Sequence, residues 1–102
     1  MEDILVPRMG DVVRSKNGRF RNEFFVVLRV DEDYAMLVNG KQRKIVNPKK
    51  KKIKHLELNI GHSNHISEKL ENGEKVTNNE VRITLGGYPA EQEVIIWELQ
   101  EH

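Results

Sequence analysis

Asn39–His55 reads NGKQRKIVNPKKKKIKH. Eight of these residues are basic, Lys41, Arg43, Lys44, Lys49, Lys50, Lys51, Lys52 and Lys54, and none is acidic. A charge run this dense is usually a disordered tail. Here Ile45, Val46 and Ile53 interrupt it, and Asn39-Gly40 opens it with the strongest short-range hairpin signal. The stretch therefore predicts two strands, Lys41–Val46 and Ile53–Leu58, joined by a basic loop whose approach Pro48 stiffens. A rigidly presented cationic loop suits a polyanion, and RNA is the polyanion expected.

Working back from Asn39, Tyr34–Val38 reads as the strand that the Asn-Gly turn reverses, and Asp31-Glu32-Asp33 as the charged turn before it. Phe24–Val30 is dense in β-branched and aromatic residues and apolar on both faces until Arg29, which places it centrally in a sheet. Arg19–Glu23 is a polar loop after the Asn17-Gly18 break. Asp11–Lys16 alternates, with Val13 and Ser15 on one face and Val12, Arg14 and Lys16 on the other. Before it lies a short leader, Met1–Met9, in which Pro7 opposes a helix. Five short strands spaced about 8–12 residues apart predict a mainly β chain, a small antiparallel barrel or sandwich.

Beyond Asn59-Ile60-Gly61 the period changes. Ser63 or Asn64 can cap a short helix carrying Ile66 and Leu70, with Asn72-Gly73 as its stop. Thr77–Glu80 has the form of a capping box, followed by Val81 and Leu85 and ended by Gly86-Gly87. Two helices this short need to dock on the barrel or on each other. Glu91–Leu99 contains Val-Ile-Ile-Trp, which favours an added strand, while its flanking Glu and Gln favour a helix. An exposed strand there could pair with another chain, so the oligomeric state stays open.

The 102 residues are 37% hydrophobic and include no cysteine, which excludes disulfides, thiol nucleophiles and thiolate metal sites. No run approaches the roughly 20 apolar residues needed to span a bilayer. MEDILVPR lacks the basic start of a signal peptide, so a cytoplasmic protein is expected. The formal net charge of +1 hides a split: 14 Lys/Arg against 7 Asp/Glu up to His55, and 3 against 9 from Leu56 onward. Such asymmetry points to a nucleic-acid-binding part beside an acidic part. The acidic part reads as a solvated helical surface or as a face for a basic protein partner.

Gly10-Asp11, Val13, Ser15-Lys16-Asn17-Gly18-Arg19, the Phe24–Val30 strand, the Asp31–Tyr34 turn, Asn39-Gly40 and Asn47–Leu56 together resemble the KOW-motif RNA-binding proteins. The likeness is greatest to a small bacterial group related to a large-subunit ribosomal protein of archaea and eukaryotes. Ile66–Arg82 also resembles that group's C-terminal extension, so the resemblance covers roughly 9–85. It implies an SH3-like five-stranded barrel at 9–58 with a short helical extension at 59–85, leaving a tail at 86–102 outside it, and a protein that binds structured RNA, foremost ribosomal RNA. KOW motifs usually carry a second glycine four residues after the first, and that position is Asn22 here. Asn tolerates the left-handed backbone better than most residues, so the turn is expected to survive.

The candidate RNA contacts are Arg14, Lys16, Arg19 and Arg21 around the first loop, and Lys41, Arg43, Lys44, Lys49, Lys50, Lys51, Lys52 and Lys54. Lysines neutralise phosphates and release counterions, and arginine can also stack on unpaired bases. Phe20, between Arg19 and Arg21, is either a stacking platform or a core aromatic that anchors the loop. His55, His62 and His65 invite a metal reading, since His62 and His65 are i, i+3, but without cysteine or carboxylates at ligand spacing no metal is expected. No serine sits in a nucleophile motif, and Gly86-Gly87 lacks the rest of a phosphate loop. An enzyme or a cofactor is therefore not expected. The function expected is RNA binding, ribosome-associated, read largely through shape and backbone. The alternative is a KOW or SH3-like protein-interaction module of the transcription or translation machinery.

Overall fold

The computed structural model describes residues 6–88. The expected element at Glu91–Leu99 and most of the tail lie outside the described residues. Five antiparallel strands form one sheet: β1 Asp11–Ser15, β2 Phe24–Asp31, β3 Tyr34–Val38, β4 Lys49–Lys52 and β5 Leu56–His62. Two helices follow, α1 Asn64–Glu71 and α2 Asn78–Leu85. The sheet order is β4-β3-β2-β1-β5, so β4 and β5 are its two edges.

Those edges are consecutive in the chain, joined only by a 3-10 turn, Ile53–His55. The outer strands of a flat five-stranded sheet stand about 19 Å apart. Four Cα steps reach about 14 Å when extended and less in a 3-10 turn. The sheet therefore curls. The turn ties both ends together: the Ile53 N–H donates to the Asp33 carbonyl at 2.8 Å, and the Lys16 N–H to the His55 carbonyl at 2.9 Å. The result is a small barrel-like fold.

β2 is apolar on both faces because both faces are covered. Inside the curl, Val13, Phe25, Val27, Ala35, Leu37 and Leu56 form one cluster, with Phe20, Val30, Ile53 and Leu58 against it. Outside it, Val26 and Val38 pack on Ile66, Val76 and Val81, with Leu28, Ile45, Leu70 and Leu85 around them. A bulge between Val27 and Arg29 lets Leu28 join the outer cluster while Arg29 still faces Met36 across the β2–β3 ladder.

The fourth strand is not where the hydrophobic pattern put it. Lys41–Val46 is loop, and the lysine run expected as a loop is β4, paired Leu37↔Lys49 to Tyr34↔Lys52. The cause lies at Asn39. A tight Asn-Gly hairpin turn needs positive φ at both residues, and only Gly40 has it, at 78°. Asn39 is instead buried, and its Oδ1 accepts from the N–H groups of Lys41 and Arg43, both at 2.9 Å. That opens a wide turn spanning Asn39–Pro48. β5 also runs past the expected end at Leu58 to His62, through a bulge in which Asn59 takes φ 63°.

Both helices start where the capping signals lie. Ser63 caps α1, accepting from the Ile66 N–H at 3.1 Å. Thr77 and Glu80 form the reciprocal capping box of α2. No helix among the described residues is long and apolar enough to cross a membrane.

Candidate nucleic-acid interface

Because β4 alternates, its four lysines divide between two sides of the sheet. Lys49 and Lys51 face the barrel-interior side, opposite Leu37 and Ala35, and lie at its rim. Their stems are half-buried, as expected of long amphipathic chains that cover apolar surface while the charge stays in water. Lys50 and Lys52 face the outer side, opposite Met36 and Tyr34, and are exposed.

Three segments meet at the rim around Phe20. Phe20 packs edge-on against Phe25, centroids 5.7 Å apart, and so anchors the first loop on the core. Its ring also carries the Arg43 guanidinium at 5.9 Å and the Lys49 ammonium at 6.0 Å. Lys51 Nζ donates to the Asn17 carbonyl at 3.0 Å, joining β4 to the Lys16–Glu23 loop that exposes Arg19 and Arg21. Asn22 takes φ 71° in that loop, and its N–H donates to the Ser15 carbonyl at 2.8 Å, so asparagine serves the left-handed position.

Among the described residues, Arg14 differs from the other expected contacts in pairing with a carboxylate. Its guanidinium binds Glu57 Oε1 at 2.6 and 2.7 Å across the β1–β5 ladder. Among the described residues, the ammonium groups of Lys49, Lys50, Lys51 and Lys52 have no carboxylate partner. Lys41 and Lys44 are exposed on the Asn39–Pro48 turn, and no contact among the described residues draws them to Phe20. α2 holds that turn: Asn78 Oδ1 accepts from the Ile45 N–H at 2.9 Å, and Arg82 donates to the Gly40 carbonyl at 2.6 Å.

The crowding of cations is felt by His55, beside Lys54 on the 3-10 turn. Its pKa is pushed below the ordinary 6.5, first by desolvation and then by Lys54, Lys51, Lys52 and Lys16. Lys51 is pushed down from 10.5 by partial burial and by Lys49. His62 and His65 do not converge. His62 Nδ1 lies 2.6 Å from Asp11 Oδ1 on the β1–β5 edge, whereas His65 Nε2 meets Glu80 Oε2 at 2.7 Å between the helices.

Sequence reasoning missed Tyr34 and Arg29, and weighed His55 only as a metal ligand. Tyr34 becomes a candidate only when β4 is paired to β3, which sets Lys50 Nζ 4.7 Å and Lys52 Nζ 6.0 Å from its ring centroid. No protein-family model matches this chain, and no curated protein matches it.

Proposed function

We propose that this protein is a KOW-type RNA-binding module, ribosome-associated, whose target is structured and foremost ribosomal RNA. One observation carries the reading: an edge strand made of four lysines, presenting ammonium groups on both sides of the sheet with no carboxylate partner among the described residues. Edge lysines also deter pairing with another sheet. That role does not extend to Arg19 and Arg21, exposed on the adjoining loop that Lys51 ties to β4 through the Asn17 carbonyl. Phosphate neutralisation does, because each contact releases condensed counterions and adds to affinity.

The test is sedimentation of the native protein from lysate through a sucrose gradient at low and high salt. Co-migration with the large ribosomal subunit, lost as salt rises, is the expected result. Migration at the top of the gradient under both conditions would rule out stable ribosome association and leave a free RNA, or a protein partner, as the target.

A further inference from the structure

The helices cover only part of the outer face of the sheet. Val26, Leu28 and Val38 lie under them. The rest of that face, toward the β2–β3 turn, carries Arg29, Tyr34, Met36, Lys50 and Lys52 in register. Tyr34 and Met36 are half-buried there, while Arg29, Lys50 and Lys52 are exposed. One aromatic ring thus lies in an open sheet surface among three cations.

Resting on the RNA-binding reading, we infer that Tyr34 is a stacking platform for an unpaired base, with Lys50 and Lys52 holding the phosphates on either side of it. Stacking on an aromatic needs a ring face that a base can reach and cations spaced along the backbone. Cross-strand pairing supplies the cations, since Lys52 is directly opposite Tyr34 and Lys50 two residues along the same edge, and the ring is overlain by the ends of these two flexible side chains. The ammonium groups beside the ring give way to the base and keep their charge near its phosphates. Asp31, opposite Tyr34 on the β2 side, repels phosphate there, so the RNA backbone follows β4. Phe20, the aromatic that the sequence singled out, is held edge-on by Phe25 and serves as an anchor. The consequence is a preference for RNA with an unpaired nucleotide, since a duplex offers phosphates but no free base face.

The experiment compares two labelled RNAs, a stem-loop and a fully paired duplex of equal length, by fluorescence anisotropy. Tyr34→Ala should weaken binding to the stem-loop about 5- to 150-fold, the range for one lost base–aromatic stack, and leave duplex binding unchanged. Tyr34→Phe should bind both as the parent does. Equal losses on the two RNAs, or no loss on either, would overturn the inference while leaving phosphate binding by β4 standing. Failure of the parent protein to bind either RNA would overturn both readings. A second measurement needs no variant: the Tyr34 ring protons should move upfield when a short oligouridylate is added. Movement of the β4 amides without any shift of the Tyr34 ring would sink the stacking role.

Discussion

Asn22 holds φ 71° because the loop leaving β1 must fold back on Ser15, whose carbonyl accepts the Asn22 N–H. Glycine meets that requirement at no steric cost, and asparagine is the next best residue. Asn22→Gly should therefore leave stability within about 0.5 kcal/mol, and Asn22→Val should cost about 1–3 kcal/mol, both read from urea unfolding midpoints. His55 is desolvated and also feels the field of the lysines around it. Its folded pKa lies below 6.5, so the unfolded chain takes the proton more readily. This group then subtracts stability as pH falls below 6.5 toward its folded value, and is silent above 6.5. Phosphates at Lys16, Lys51, Lys52 and Lys54 would cancel part of the positive field and raise the pKa. Titrating the His55 ring by NMR should show that rise on saturation with RNA; an unchanged value would place the RNA elsewhere.

At the scale of the element, β4 decides what the proposed interface can do. Replacing Lys49, Lys50, Lys51 and Lys52 by glutamine keeps the stems polar and the backbone ladder intact, whereas alanine would leave an unguarded edge. If all four contact phosphates, the slope of log affinity against log salt should become shallower by about 3. A slope unchanged in the glutamine variant would remove β4 from the interface. The same strand marks the limit of what the sequence made legible. β2 and β3 were readable because the curled sheet and the helices bury their alternating or continuous apolar residues. The α2 box was readable because capping is local chemistry between Thr77 and Glu80, and Thr77→Ala should cost about 1 kcal/mol in thermal unfolding. β4 was not readable, because four identical lysines have no hydrophobic period and owe their strand state to backbone bonds with Tyr34–Leu37. Lys41–Val46 had the better strand pattern and lost to a buried asparagine that spends its side chain on the turn. Basic character was legible; which side of the sheet each cation faces, and its pairing with Tyr34, depended on that register.

Across the whole molecule, the sheet closes through the 3-10 turn on one side and is covered by helices on the other, and Glu80 locks that cover. Its Oε2 binds Lys69 Nζ and His65 Nε2 at 2.7 Å each on α1, while Oε1 accepts the Thr77 N–H at 2.9 Å at the start of α2. Lys69, the Thr77 N–H and His65, in that order, hold the carboxyl at about 2 against an ordinary 4.5. A carboxylate with a depressed folded pKa contributes stability that is full above 4.5 and is lost as pH falls from 4.5 to about 2. The helical layer should therefore loosen first in acid, uncovering Val26 and Val38, because the Glu80 contacts join α1 to the start of α2. Glu80→Gln separates this effect from general acid denaturation. It should lower the melting temperature at neutral pH, and the gap from the parent should narrow steadily as pH falls through that window. Hydrogen exchange at low pH should show α1 and α2 amides losing protection before those of β1–β3. Parallel loss of stability in both proteins, or simultaneous exchange of helices and sheet, would mean that Glu80 is not what clasps α1 to α2. The clasp also bears on the interface, because α2 fixes the Asn39–Pro48 turn through Asn78 and Arg82 and so sets where Lys41, Arg43 and Lys44 stand.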